Sequence, residues 1–141
     1  MLNENLSRIG HDRICPVAVI IRDGKILLGL RHYTKDKWKA TIVWTIPGGR
    51  CDSSESLEIT LRREVKEEVG IENLEILEYL GEVPGAKEGD IVPMFLCKTQ
   101  EEPKLMEPQK FSEWRWFTPL EIPTNFINPK ALEIIKEKLF D

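Results

Sequence analysis

Apolar residues, many of them β-branched, recur in short runs that turn signals separate, and this pattern predicts β-strands. The predicted strands cover residues 14–21, 26–30, 74–83, 91–99 and 113–118. The first two are joined by an Asp23-Gly24 pair, which is typical of a tight hairpin. The alternation within residues 74–83 also fits a helix. Pro93 falls inside the fourth run, so we expect that strand to lie at a sheet edge or to contain a bulge.

A four-residue spacing of aliphatic side chains predicts a helix in the middle of the chain. Asp52 and Glu55 fit a capping box, so we expect this helix to run from about Ser53 to Val69 and to end before Gly70. Its apolar stripe consists of Leu57, Leu61, Val65 and Val69.

A second helix is predicted near residue 130, where Asn128 fits the cap and Pro129 fits the first helical position. Its apolar face consists of Ala131, Leu132, Ile135 and Leu139. Strands in both halves of the chain, with helices between and after them, predict an α+β fold. At 141 residues we expect one domain over residues 13–141, preceded by a polar leader of residues 1–12 that is poorly ordered or lies on the surface.

Charge and cysteine content narrow the classes of function. The net charge of −4 argues against a nucleic-acid scaffold held by bulk electrostatics. The number of cysteines is odd and their spacing is wide, which excludes a disulfide framework and suits a reducing compartment. They are Cys15, Cys51 and Cys97. No apolar run reaches the length of a signal peptide or a membrane span, so we expect a cytoplasmic protein without a membrane partner.

Three acidic residues of the predicted central helix crowd one patch of its surface. Glu67 and Glu68 lie three and four positions after Glu64, a spacing at which carboxylates repel each other. Arg63 can pair with Glu67, which relieves part of this repulsion. A charge run of this kind is usually a solvated helix face. Glycines before the helix and Glu55 at its start instead favour a site for a hard cation, Mg²⁺ or alternatively Mn²⁺.

The stretch from residue 47 to residue 71 reads PGGRCDSSESLEITLRREVKEEVGI. It resembles the signature of the Nudix hydrolases, G-x5-E-x7-R-E-U-x-E-E-x-G-U with U aliphatic, and every specified position is filled from Gly49 to Ile71. Many members continue G-G-x-x-E-x-G-E, whereas this chain has R-C-D-S-S between Gly49 and Glu55 and lacks the second glycine. The resemblance implies the α/β/α sandwich of this family, built around a mixed β-sheet.

The resemblance also implies roles for the matched residues. The metal would be held by the carbonyl of Gly48 and by the carboxylates of Glu64, Glu67 and Glu68. Glu64 is in addition a candidate general base, and acids outside the signature such as Glu107 or Glu113 are alternatives. Arg63 and Glu55 would fix the geometry of the loop and the helix, although helix capping is an equally good local account of Glu55.

Basic residues near the signature are candidates for binding phosphate. Arg31 ends a predicted strand that leads towards the signature, where many relatives place a basic residue. Arg50 lies within the signature loop. Lys37 and Lys39 are weaker candidates because single lysines are usually solvated surface charges.

A nucleobase needs a stacking surface and an amide or carboxylate for its edge. Phe126 and Asn128 lie in the segment where relatives of the MutT type recognise the base. Asn128 is better explained as a helix cap, so its assignment to substrate binding is the lesser of two interpretations.

The function that the resemblance implies is Mg²⁺-dependent hydrolysis of a phosphoanhydride bond in a nucleoside diphosphate linked to a group X. A nucleoside triphosphate, cleaved to a nucleoside monophosphate and pyrophosphate, is the favoured substrate. The alternatives are ADP-ribose, a sugar nucleotide or a dinucleotide, and a non-catalytic module that senses nucleotides. An isomerase on the same fold would need His and Cys ligands that we cannot identify. The expected partner is a small-molecule nucleotide, and the expected state is a monomer or homodimer.

Overall fold

The secondary structure follows the predicted order and adds two elements. A computed structural model describes residues 1–32 and 42–139. Its helices are α1 (Leu2–Ser7), α2 (Leu57–Val69) and α3 (Pro129–Leu139), with a 3₁₀ turn at Pro119–Glu121. Its strands are β1 (Val17–Arg22), β2 (Lys25–Arg31), β3 (Val43–Thr45), β4 (Glu75–Pro84), β5 (Ile91–Lys98) and β6 (Phe111–Phe117). The pattern of apolar residues predicts neither α1 nor β3.

These strands form one mixed sheet with the order β3-β2-β1-β5-β4, and β6 pairs with β2. The hairpin partners β1 and β2 run antiparallel, whereas β1 and β5 run parallel, with Val17 beside Met94. Strand β1 pairs with the beginning of β2, and β3 pairs with its end, so the two share one edge of that strand. The antiparallel β6 pairs with the opposite edge of β2. The region predicted as strand or helix is therefore a strand, β4.

Helices cover both faces of this sheet, so the predicted α/β/α sandwich is confirmed. Alternate residues of β1 point to opposite faces, as strand geometry requires. Ala18 and Ile20 pack in one core cluster with the apolar stripe of α2. Val17 and Val19 pack in a second cluster with Ala131 and other residues of α3. Both helices are thus fixed to the same strand, from opposite sides of the sheet.

Pro93 lies in an interior strand, because β5 is flanked by β1 and β4. The predicted edge position is therefore wrong. The partner strand β4 has a register shift between Tyr79 and Gly81, close to the point where it pairs with Pro93. The ladder with β1 begins at Met94, so the N–H that proline lacks is not needed there.

Two further features bear on the predictions. Within the predicted leader, residues 2–7 form a helix that lies against α2 and β4. Within the described ranges, no helix has the length and apolar character needed to cross a membrane. The predicted basic loop of residues 33–41, with Lys37 and Lys39, lies outside the described residues.

The α2 stripe yields a prediction about stability. Leu61 is completely buried, so Leu61→Ala should reduce the free energy of unfolding by about 2–5 kcal/mol. Ile59 lies in the same helix but is 58% exposed, and Ile59→Ala should change it by less than about 0.5 kcal/mol. Urea denaturation of both variants measures this difference. Equal losses would show that α2 is not anchored through its predicted face.

Candidate active site

The loop that precedes α2 lies flat against the start of β1. The Ala18 N–H donates to the carbonyl oxygen of Pro47 at 2.8 Å. Gly48 has a φ of 152°, and a Cβ there would overlap the carbonyl oxygen of Pro16. Glycine is therefore required at this position for the loop backbone to approach the strand.

Helix α2 begins at Leu57 and not at about Ser53, so the predicted start is wrong. Ser56 is the N-cap, and its Oγ accepts a hydrogen bond from the N–H of Ile59 at 3.2 Å. Serine at this position satisfies one of the free N–H groups of the first turn. Several serines precede the helix, which is why the sequence offers more than one plausible cap.

A turn at residues 52–55 comes immediately before this helix. Glu55 Oε1 accepts a hydrogen bond from the N–H of Asp52 at 3.1 Å. A capping box would contain the same bond, but in this structure the bond closes the turn. Ser54 has a φ of 69°, in the left-handed region. This is the position of the second glycine in the pattern that the signature resembles, and here a serine adopts a left-handed conformation that is strained for a residue with a side chain.

Glu55 also holds Arg63 through two hydrogen bonds. Arg63 Nη2 lies 2.9 Å from Glu55 Oε1, and Arg63 Nε lies 3.1 Å from Oε2. Thr60 Oγ1 donates to the same carboxylate at 2.5 Å. The Arg63 guanidinium, with the Thr60 hydroxyl, lowers the pKa of Glu55 to about 2. The predicted structural role of Glu55 and Arg63 agrees with this geometry, since the pair ties the loop to the helix.

Arg63 is shared among more carboxylates than it can neutralise. Besides Glu55, it contacts Glu64 and Glu67, each with 3.4 Å between Nη1 and a carboxylate oxygen. Asp52 lies 3.7 Å away. One positive charge therefore serves four negative ones, and the inner acids of α2 remain only partly compensated.

Glu68 is the most deeply buried of these acids, with 5% of its surface exposed. One hydrogen bond reaches its carboxylate in the described part of the chain, from the N–H of Gly48 at 2.9 Å. Burial raises the pKa of Glu68 to about 8, against the effects of Gly48 and of Arg31. A buried carboxyl group with so little compensation is a favourable ligand for a cation.

Glu64 adjoins Glu68 on the same side of α2. Burial and the neighbouring Glu67 raise the pKa of Glu64. Its carboxylate lies directly against Gly49, where a Cβ would overlap it. Glu67 is different, because 47% of its side chain is exposed and it leans towards Arg63.

The structure brings Glu64, Glu67 and Glu68 into one region but does not make them converge. Within residues 1–32 and 42–139, no three His, Cys, Asp or Glu side chains are grouped as metal ligands. That the three acids hold one ion stays a prediction. Arg63 draws Glu67 and Glu64 towards itself, and Gly48 holds Glu68. The donor set still suits a hard divalent ion, because its donors are carboxylate oxygens and the pKa values of Glu64 and Glu68 are raised.

A cleft of about 340 Å³ opens beside Glu64 and Glu68. Arg31 lines it, as predicted, and its charge acts on Glu68. Lys110 also lines the cleft and acts on Glu64, but the sequence does not single it out. Glu107, an alternative general base, pairs with Lys110 at 3.6 Å and raises the pKa values of Glu64 and Glu68. These residues surround the space in which a phosphate would meet α2.

Glu113 lies elsewhere and is paired with Arg115 at 2.6 Å. It does not line the cleft. Its position gives it no part in the chemistry of the buried acids.

Arg50 lines the cleft but is already engaged by a buried acid. Its guanidinium donates to both oxygens of Asp90 at 2.9 and 2.6 Å, and to the carbonyl oxygen of Asp12 at 2.7 Å. Asp90 is 6% exposed and lies at the base of the loop between β4 and β5. The predicted role of Arg50 in holding phosphate competes with this ion pair, which the sequence could not show because the partners are 40 residues apart.

Phe126 and Asn128 reach the far end of the cleft. Phe126 lines it but is 6% exposed, so most of the ring belongs to the core beneath α3. Asn128 Oδ1 accepts from the N–H of Ala131 at 3.2 Å, which confirms the predicted helix cap. Its amide donates to the carbonyl oxygen of Pro84 at 2.8 Å. Both polar groups of Asn128 are thus satisfied within the protein.

An α/β/α sandwich with a glycine loop and an acidic helix is the arrangement that the signature implied, and a comparison with known families agrees. The profile of the NUDIX domain family matches residues 13–140. The chain therefore belongs to the Nudix hydrolase family. This family generally uses divalent metal cations.

Several known proteins are similar to this chain. The RNA pyrophosphohydrolase of Caulobacter vibrioides is 32% identical over 115 residues, which are 79% of this chain and 60% of that protein. The CTP pyrophosphohydrolase of Escherichia coli is 44% identical over 55 residues, 39% of this chain and 38% of that protein. The crystal structure of a MutT Nudix hydrolase from Burkholderia pseudomallei superimposes with a TM-score of 0.70 at 27% identity, covering 89% of this chain and 97% of that one. The chain thus spans only part of the length of the first two relatives.

The buried Glu68 gives a prediction about pH and stability without metal. Its folded-state pKa of about 8 lies above its ordinary value of 4.5, so the folded protein retains a proton that the unfolded chain loses. Stability should therefore fall as pH rises from about 4.5 to 8. In chelator, Glu68→Gln should be more stable than the native protein by about 1–3 kcal/mol at pH 8, and the difference should shrink towards pH 5. Urea denaturation at several pH values measures it, and a constant difference would contradict this account.

Ser54 gives a second prediction. The left-handed conformation costs a residue with a side chain about 1–2 kcal/mol of folding free energy, and glycine avoids this cost. Part of that benefit is lost because glycine has more conformational freedom in the unfolded chain. Ser54→Gly should therefore raise the free energy of unfolding, by up to about 1 kcal/mol. Ser53→Gly is the matched control and should lower it, since Ser53 has no positive φ. Thermal melts of both variants show whether each change raises or lowers the free energy of unfolding. If Ser53→Gly stabilised the protein and Ser54→Gly did not, Ser54 would be unstrained.

Proposed function

We propose that this protein hydrolyses a phosphoanhydride bond in a nucleoside diphosphate linked to a further group, with nucleoside triphosphates as the first substrate class. The observation that carries the proposal is the placement of two undercompensated carboxylates, the buried Glu68 and the partly buried Glu64, on the wall of a cleft that also contains Arg31 and Lys110. Acidic residues alone would repel a polyphosphate. A cation between them and the substrate reverses that repulsion.

The ion would be held by the carboxylates of Glu64, Glu67 and Glu68. The carbonyl group of Gly48, which adjoins Glu68, would be a further ligand. A bound Mg²⁺ or Mn²⁺ would supply charge to polarise the phosphate and to lower the pKa of a coordinated water molecule. For the acids to serve as ligands, Glu64 and Glu67 must turn away from Arg63. Arg63 would remain anchored by its two bonds to Glu55, so the loop keeps its position while the acids turn.

Hydrolysis adds water across one P–O–P bond. The oxygen of water forms a bond to phosphorus, and the bond from that phosphorus to the bridging oxygen breaks. Pyrophosphate departs, and a nucleoside monophosphate remains. Glu64, which lines the cleft, would take the proton from water. Glu107, which pairs with the cleft residue Lys110, is the alternative acceptor. Arg31 and Lys110 would stabilise the negative charge on the phosphate oxygens. Phe126 would offer a limited apolar surface to the base, since only 6% of its surface is exposed.

A second substrate class is the phosphorylated 5′ end of an RNA. It is favoured by one observation, the 32% identity over 79% of this chain with a protein named RNA pyrophosphohydrolase. The same bond would be broken, but the substrate would continue beyond the cleft. The net charge of −4 favours the small nucleotide.

The unpaired cysteines Cys15, Cys51 and Cys97 support a reducing compartment, and we propose the cytoplasm. A monomer or homodimer remains our prediction for the assembled state.

The substrate can be identified by a hydrolysis screen with and without Mg²⁺. The panel should contain canonical and oxidised nucleoside triphosphates, ADP-ribose, a sugar nucleotide, a dinucleoside polyphosphate and a 5′-triphosphorylated oligoribonucleotide. We expect Mg²⁺-dependent release of pyrophosphate from at least one nucleoside triphosphate, with a higher kcat/KM than for the oligonucleotide. Nucleotide binding without turnover across the panel would instead identify a sensing module.

Removing one acid at a time tests the roles of the buried residues. Glu64→Gln and Glu68→Gln should each lower kcat by about 100-fold or more, because each removes a charge that holds the ion or accepts the proton. Glu58→Gln is the matched control on the same helix, since Glu58 pairs with Arg62 on an exposed face. It should leave kcat within about twofold of the native value. A similar loss in all three variants would contradict the assignment.

A further inference from the structure

The loop before α2 is hydrogen-bonded along its length to a stretch of chain that precedes β1. The Gly49 N–H donates to the carbonyl oxygen of Pro16 at 3.2 Å, and the Cys51 N–H donates to that of Ile14 at 2.9 Å. These bonds fall within residues 13–140, the part that matches the family. They fix the first half of the loop against the sheet.

The pairing continues beyond the family match, into residues 8–12. The Gly10 N–H donates to the carbonyl oxygen of Glu55 at 2.8 Å, and the Leu57 N–H donates to that of Arg8 at 2.9 Å. Ile9 and Ser56 form the antiparallel bridge between these two bonds. Residues 8–10 therefore act as a short strand for the second half of the loop.

These bonds act at the point where the loop becomes the helix. Leu57 is the first residue of α2, and its N–H is one of the donors that a helix leaves without an internal partner. The carbonyl of Arg8 supplies that partner. Glu55, whose backbone is held by Gly10, is also the residue whose side chain holds Arg63. The position of the segment is thus transmitted through Arg63 to the acids of α2.

Gly10 is the residue on which this contact depends most. A Cβ at Gly10 would overlap the Sγ of Cys51 and lie 2.9 Å from its Cβ. Cys51 is buried and belongs to the core cluster beneath α2, so it has little freedom to move aside. Any side chain at residue 10 would force the segment away from the loop.

Helix α1 anchors the segment at its other side. Leu2 and Leu6 pack against the cluster that contains Leu57 and Leu61. Arg8 forms an ion pair with Glu82 of β4 at 2.9 Å. The segment is therefore attached to both α2 and the sheet, which allows it to fix the position of one relative to the other.

We propose that residues 8–12, with Gly10 as their central positioning residue, hold the junction of loop and helix in the geometry that the acids of α2 need to bind a divalent cation and position phosphate. This inference rests on the proposed function for its effect on turnover. It assigns a role in the active site to a segment that the family signature does not include. Loss of the contact would loosen the junction without removing any acid.

The test compares Gly10→Val and the milder Gly10→Ala with the native protein. Amide hydrogen exchange in the metal-free proteins should be accelerated by about tenfold or more at Leu57 and at residue 10 of both variants, because their partners separate. Mn²⁺ binding, followed through the free-ion signal in electron paramagnetic resonance, should weaken by about tenfold. With an active substrate, kcat should fall by about tenfold while KM stays within about twofold, since small displacements impair the reaction more than binding.

Ile135→Val is the control, because Ile135 is completely buried in α3 on the opposite face of the sheet. It should lower the Tm but leave Mn²⁺ binding and kcat unchanged. Faster exchange at Leu57 with unchanged Mn²⁺ affinity would overturn the proposal, and so would unchanged exchange in Gly10→Ala and Gly10→Val. If the native protein hydrolyses nothing in the screen, the exchange and Mn²⁺ measurements still decide this proposal separately from the proposed function.

Discussion

The arrangement of this site follows from how incompletely the described cations compensate the acids of α2. Arg63 contacts several of these acids, and its two shortest bonds go to Glu55. Glu64 and Glu67 receive only its longer contacts, and Glu68 receives a single backbone N–H. Burying carboxylates with so little compensation costs stability, which is reflected in the raised pKa values of Glu64 and Glu68. A protein that keeps such a cluster gains most when a doubly charged ion completes it.

The backbone around the cluster is correspondingly well fixed. Glycines at residues 48 and 49 allow the loop to touch β1 on one side and Glu64 on the other. The chain before β1 pairs with the loop from Gly49 to Leu57. Each acid of α2 can therefore turn towards an ion while the loop and the helix keep their relative position. The site is thus ordered during folding and not during each encounter with substrate.

Much of this could be predicted from local sequence. The spacing of Leu57, Leu61, Val65 and Val69 defines the buried face of α2, and all four residues are buried. The cap at Asn128 was also visible, because capping depends on residues close in sequence. The longer strands can be predicted from their apolar runs, whereas β3 has only three residues in a short apolar stretch that leads directly into the signature loop.

The remaining features depend on contacts between distant residues, which periodicity does not report. The start of α2 was misplaced because Ser54 adopts a left-handed conformation that its residue type does not announce. Arg50 was assigned to phosphate because its partner Asp90 comes from a distant part of the chain. The directions of the three carboxylates cannot be predicted from the sequence for a related reason. Helical spacing gives the separation of the backbone positions, but Arg63 and Gly48 determine where the carboxylates point.

The most direct test of the central claim is to locate the ion by anomalous diffraction from crystals soaked in Mn²⁺. Our account predicts a manganese peak within about 2.3 Å of carboxylate oxygens of Glu64 and Glu68, with Glu64 turned away from Arg63 and the Glu55–Arg63 pair retained. A site without manganese at saturating concentration, with Glu64 and Glu67 still paired to Arg63, would contradict it.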